Sequence, residues 1–194
     1  MNNKKILIPV FIIAALVQLF IPAKMIWDRE DILETGNEYK FKSAPIDPYD
    51  PFRGKYITLT FEASTYEVSS AQDWAMGERI YVSLNNDSTG FAEIETVSKE
   101  EPTDNHDYVK AKVRWVNVTG TNVLNIAYPF DRYYMEESKA ATAELTYMQS
   151  QRDTNKIVYA SVYVKNGDAV LKDVLIDGIS IREIVKANQE ESNE

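Results

Sequence analysis

His106 is the only histidine of the 194 residues, and the chain contains no cysteine. A Ser-His triad or a histidine metal site would therefore rest on that one residue. It stands in "EEPTDNHDYVK" (Glu100–Lys110), a charged, proline-containing stretch that reads as a solvated loop rather than a pocket. The carboxylates around it, Glu100, Glu101, Asp104 and Asp107, lack the Asp/Gly spacing of a calcium loop and are expected to form a wet surface. The absence of cysteine removes disulfides, thiolate ligands, a thiol nucleophile and lipid attachment through a cysteine. No catalytic, cofactor or metal site is expected, and the chain reads as a non-enzyme.

Two other stretches carry denser chemistry. "PIDPYDPFRGKYITLTF" (Pro45–Phe61) sets three prolines and two aspartates before an Arg-Gly pair and a strand. The prolines hold extended or turn backbone, Asp47 and Asp50 can close Asx turns, and Gly54 permits a close approach at the strand entrance. Arg53 is expected to bond Asp47, Asp50 or the carbonyls between them, locking a rigid corner. The same corner can also serve as a recognition surface. "YPFDRYYMEESKA" (Tyr128–Ala140) holds Asp131, Arg132, Tyr133, Tyr134, Glu137 and Lys139. They either pack and solvate a helix or line a polar groove beside the first stretch. The chain has twelve tyrosines, and tyrosine offers a large contact area at low entropic cost.

The elements that position these residues follow from pattern. Lys4 and Lys5 precede "ILIPVFIIAALVQLFIPAKMIW", in which Gln18 is the only polar side chain from Ile6 to Ile21. Residues 6–27 make about 33 Å of helix, enough for a bilayer core of roughly 30 Å. Lys24 can snorkel and Trp27 suits an interface. Pro22 is expected to mark a break or kink. A cleaved signal peptide fits the same composition, but the length and the lack of an A-x-A site favour a retained anchor. Either reading sends the remainder out of the cytoplasm, with the N-terminus inside by Lys4 and Lys5.

The expected division is an anchor over 1–27, a juxtamembrane segment over 28–44, a β-rich domain over 45–185 and a flexible tail over 186–194. "DREDILETG" reads as a short helix stopped near Gly36. Beyond Pro45 the apolar period is mostly two. Ile57, Leu59 and Phe61 share one face, as do Ile80, Val82 and Leu84. In "YVKAKVRWVNV" the inward set is expected to be Val109, Ala111, Val113 and Trp115, with a hairpin to "NVLNIAY". Asp131–Gln151 reads as the main helix, with Tyr134, Ala141, Leu145 and Met148 on one face. "KNGD" (Lys165–Asp168) is the strongest hairpin signal. The predicted fold is β-dominated α+β, with antiparallel sheets and one main helix after a transmembrane helix. The net charge of −9 argues against a nucleic-acid partner, because phosphate binding needs clustered Lys and Arg.

"GKYITLTF" (Gly54–Phe61) resembles the G-D-Y-x-x-L-x-Y pattern of the GDYXXLXY family of uncharacterised bacterial membrane-anchored proteins. Gly54, Tyr56 and Leu59 match, Phe61 replaces a tyrosine and Lys55 replaces the aspartate. The lead-in "DPYDPFRG" and the segment "YPFDRYYMEESKA" are similar to further family stretches, although Pro129, Asp131 and Ser138 depart from the second. The resemblance implies location and architecture without an established activity, and it makes a multispanning membrane protein of the envelope a natural partner. Signal-peptidase-like Ser-Lys hydrolases share an anchored, β-rich plan, but nothing matches their serine motif. The expectation is an anchored extracytoplasmic interaction module. The alternative is a small-ligand or peptide-binding domain with its groove between residues 47–56 and 131–139.

Overall fold

The first element, α1 (Lys4–Thr35), is a single 32-residue helix. The chain is represented by a computed structural model that describes residues 4–44, 56–104, 106–117 and 121–191. Helix assignment continues through Pro22, so the expected break is absent there. No described residue covers the stretch Ile8–Trp27, where every residue but Ala15 is exposed. Its apolar residues surround the axis, the pattern of a helix that faces lipid on all sides. It is the one helix among the described residues long and apolar enough to cross a membrane.

The last turns of α1 belong to the fold. Ile32 is buried, Arg29 Nη1 donates to the Ala169 carbonyl at 3.0 Å, and Lys165 Nζ reaches Asp31 Oδ2 at 2.6 Å and Thr35 Oγ1 at 2.7 Å. The Gly36 N–H bonds the Ile32 carbonyl at 2.9 Å and ends the helix. The apolar stretch and the β-rich domain are thus joined by a docked helix.

After Gly36 the chain runs β1 (Asn37–Lys42), β2 (Tyr56–Thr58), a 3-10 turn (Glu62–Ser64), β3 (Thr65–Glu67), β4 (Arg79–Asn86), β5 (Ala92–Ser98), β6 (Tyr108–Asn117), β7 (Val123–Ala127) and β8 (Arg132–Tyr134). Helix α2 (Glu137–Arg152), β9 (Val158–Lys165), β10 (Asp168–Ile176), β11 (Ile179–Ser180) and α3 (Ile181–Glu191) complete it. The sheets are antiparallel: β1-β9-β10-β11, β2-β8 and β3-β7-β6-β4-β5. The fold is β-dominated α+β, as the alternation predicts.

The expected hairpins form. Asn166 (φ 52°) and Gly167 (φ 83°) take the two left-handed positions of the β9–β10 turn, the geometry that Asn-Gly favours. That tip docks on the five-stranded sheet, where the Lys110 N–H bonds the Gly167 carbonyl at 2.9 Å. The core faces also follow the period of two: Ile57, Leu59, Phe61, Ile80, Val82, Leu84, Val109, Ala111 and Val113 are all buried. Behind them Phe41, Phe61, Tyr128 and Phe130 pack as an aromatic cluster with ring centroids 5.0–6.2 Å apart.

Four further expectations need correction. Trp115 is 47 % exposed, because the β6–β7 register shifts between Val113 and Trp115. An extra residue in one strand reverses the faces beyond it, so Val116 packs against the core instead. The main helix starts at Glu137, not Asp131, because Arg132–Tyr134 pairs as a strand. The helix also buries Ala140, Ala143, Tyr147 and Ser150 rather than the expected stripe. Leu145 is 56 % exposed, and Tyr134 lies outside the helix. Finally, α3 carries helical structure past Lys186 to Glu191, since Ile181 and Val185 bury one of its faces.

The helix correction is testable. Leu145→Lys should change unfolding free energy by no more than about 0.5 kcal/mol, as for other surface sites. Ala143→Leu, overpacking a buried position, should cost about 1–3 kcal/mol. Urea titrations of both variants against the parent chain check the assignment, and the reverse order would restore the stripe through Leu145.

Candidate functional site

The stretch "KYITLTF" and the stretch "DRYYMEESKA" lie side by side. β2 and β8 form a two-stranded ribbon in the register Tyr56–Tyr134, Ile57–Tyr133 and Thr58–Arg132. The Leu59 N–H extends the pairing to the Asp131 carbonyl at 2.8 Å. The local cause is alternation on both strands. Ile57, Leu59 and Tyr133 face inward and are buried, whereas Arg132 and Tyr134 point out.

The inner side of the ribbon is tied to elements distant in sequence. The Tyr133 hydroxyl donates to Asp173 Oδ1 at 2.6 Å, and the Arg182 guanidinium lies 5.1 Å from the Tyr133 ring centre. Burial first, and then the Asp173 carboxylate, push the Tyr133 hydroxyl pKa up. It therefore stays protonated and serves as a donor. Asp173 is available because the β9–β10 register shifts between Leu171 and Asp173, which turns it from the position that strict alternation would give. Arg114 reaches Asp131 at 3.4 Å, and Arg132 lies 3.9 Å from the same carboxylate.

The outer side is an aromatic and cationic platform. The Tyr56 and Tyr134 rings are 5.4 Å apart, and the Arg132 guanidinium sits 5.0 Å from the Tyr56 ring centre. Beside it opens a cleft of about 470 Å³ between the starts of α2 and α3, with Tyr134, Met135, Lys139 and Arg182 in its lining. Lys139 pairs with Glu136 at 2.9 Å, and Glu137 is exposed at the start of α2. Asp47, Asp50, Arg53 and Gly54 lie outside the described residues, and so does the expected Arg53 tie.

Of the sequence-selected residues, the fold brings together Tyr56, Leu59, Asp131, Arg132, Tyr133 and Tyr134, with Lys139 at the adjoining cleft. Sequence reasoning missed Asp173 and Arg182. No local spacing links them to Tyr133; their one cue is a charged residue inside or just after an apolar strand run. Such a surface suits contact and stacking.

His106 is placed elsewhere, beside β5. Its Nδ1 is 2.8 Å from Glu95 Oε2, and both side chains are exposed. Among the described residues no group of three or more His, Asp or Glu is arranged to hold a metal. The bond to Glu95, followed by Coulomb attraction to Glu95 and Asp104, raises the imidazole pKa. The folded state therefore binds this proton more tightly than the unfolded chain. The stabilisation is fully present below the ordinary histidine pKa of about 6.5 and is lost as pH rises through the higher folded value. A proton NMR titration of this single imidazole should give a midpoint above about 6.5. Glu95→Gln should bring it down, and an unchanged midpoint in that variant would remove Glu95 as the cause.

A β-dominated domain carried on one apolar helix, with two separated tyrosine-bearing segments paired into a surface ribbon, is the class that fold and site define. The chain belongs to the GDYXXLXY protein family, whose model matches residues 18–174. No curated protein and no solved structure matches the chain. The family's function is not established.

Proposed function

We propose that this protein is a non-enzymatic interaction module, held outside the cytoplasmic membrane by a retained α1 and working with a multispanning membrane protein of the envelope. The observation that carries the reading is the joint between α1 and the sheet. The apolar stretch continues, as one helix, into turns that bond β9 and β10. A helix docked in this way holds the domain close to the bilayer, at the height where a membrane protein's loops emerge. The ribbon supplies the contact surface, with Tyr134 60 % exposed beside the Arg132–Tyr56 stack. Tyr and Arg are among the side chains that most often anchor protein interfaces.

Photo-crosslinking from position 134 of the full chain in native membranes tests this directly. One discrete adduct with a membrane protein is expected, and none from position 100 in the exposed loop. Recovery of the chain alone from both positions would overturn the reading. Intact-mass measurement should find the mature chain still carrying α1, whereas a chain beginning after Ala23 would remove the anchor.

The adjacency of the ribbon and the 470 Å³ cleft favours a second reading, a small-ligand or peptide site. In that case Arg182→Glu should abolish ligand-dependent thermal stabilisation while leaving the position-134 adduct in place.

A further inference from the structure

The five-stranded sheet has two outer strands, β3 and β5, and residues of both line one cleft. Thr65, Tyr66 and Glu67 form one wall of a cleft of about 430 Å³, and Ala92, Glu93 and Ile94 form the other. The sheet is therefore curled so that its two outer strands approach a common cleft. Among the described residues, no backbone group of β3 or β5 bonds across this gap; their ladders run only to β7 and β4. An unpaired strand edge is a template for another strand, and here one incoming segment would meet two of them.

Charge selects the occupant. Glu62 and Asp87 also line the cleft, so four carboxylates surround it, while Ala63, Ala92 and Ile94 supply apolar floor. Glu62 is answered by Lys42 at 3.0 Å, whereas Glu67 and Glu93 form no ion pair among the described residues. A second copy of this chain, at net charge −9, would be repelled. The slot-lining part of β5 precedes Glu95, where the β4–β5 register shifts, so the Ala92–Ile94 edge keeps regular strand geometry.

We propose that the cleft between β3 and β5 takes an extended segment of a partner protein bearing lysine or arginine at alternate positions, which adds as a strand between the two edges. Main-chain bonds to both walls provide affinity, and the alternate cations meet Glu67 and Glu93. This surface is separate from the β2–β8 ribbon and does not depend on the function proposed for it.

The full chain in phosphatidylcholine nanodiscs, whose lipid carries no net charge, provides the test. The probe is a fluorescent heptapeptide of alternating lysine and valine. Three results are expected: saturable binding by anisotropy, at least tenfold weaker binding of the same peptide N-methylated at alternate residues, and at least tenfold weaker binding to a Glu67→Lys/Glu93→Lys variant. Amide exchange should slow at Thr65–Glu67 and Ala92–Ile94 when the peptide is added. Absent or non-saturable binding overturns the proposal, as does equal binding of the N-methylated peptide, which would show charge attraction alone. Peptide-independent dimers protected at the same strands would also overturn it, giving the cleft to a second copy. Should the charge-reversed variant unfold, the N-methyl comparison on the unaltered chain still decides.

Discussion

Phe41→Ala should lower folding stability by about 3–5 kcal/mol, the range for removing a large aromatic side chain from a packed core. Phe41 is fully buried, and its ring centre lies 5.3 Å from Phe61, 5.3 Å from Tyr128 and 5.0 Å from Phe130. Aromatic pairs add about 0.5–1.5 kcal/mol each beyond the area they bury, so the upper half of the range is expected. The location gives the loss its meaning. Phe41 lies in β1, the strand after the docked helix α1; Phe61 follows the ribbon's first strand, and Phe130 precedes its second. The cluster joins β1 to the segments that flank the ribbon. Phe41→Leu refills most of the volume and should cost roughly 1–1.5 kcal/mol. Urea unfolding of the detergent-solubilised chain measures both. A loss under about 1 kcal/mol for the alanine variant would show that the cluster does not hold the fold.

Gly36→Ala should cost about 1–3 kcal/mol by overpacking and should loosen the joint between α1 and the domain. A Cβ on Gly36 would lie 2.5 Å from the Ile32 carbonyl oxygen and 2.9 Å from that of Val164. Both are backbone atoms, one in the last turn of α1 and the other in β9, so neither can rotate away. The helix would have to lift off the strand, lengthening the Lys165–Asp31 and Arg29–Ala169 bonds that fasten it. Amide exchange should accordingly quicken over Asp31–Lys42 and along β9, while β4–β6 keeps its protection. Gly90→Ala is the comparison, since a Cβ there meets nothing within 4 Å and only its φ of 83° is strained. Uniform exchange changes in the Gly36 variant would indicate general destabilisation and not a hinge at the joint.

Much of the local structure could be read from the chain because it rests on local chemistry. Sixteen unbroken positions from Ile6 to Ile21 with one polar side chain specify an apolar helix wherever they are placed. Alternation marks which side chains of β4 and of the first half of β6 face inward. Asn166-Gly167 marks a hairpin because few residues other than glycine and asparagine enter the left-handed region cheaply. The motif residues Tyr56, Leu59 and Tyr133 could be picked out one by one, although the sequence could not show that they touch.

What the sequence left open was decided by contacts between distant segments. Residues 131–136 have helical composition, yet the strand at Tyr56–Thr58 offers their backbone a ladder, and pairing outweighs a weak propensity. Trp115 and Asp173 take faces that strict alternation denies them because one extra residue in a strand reverses the pattern beyond it, and which residue is extra depends on the partner strand's register. The buried stripe of α2 was misread for a similar reason. Leu145 is the more apolar choice, but the surface beneath the helix admits Ala140, Ala143 and Tyr147. The edge strand β3 has only three residues, too few for a period to show, and its approach to the same cleft as β5 follows from the curl of the whole sheet. Composition and period act over a few residues, so they determined the apolar helix, the strands and the turns. The ribbon, the docked joint and the open edge depend on groups brought together from far along the chain, and only the tertiary structure decided them.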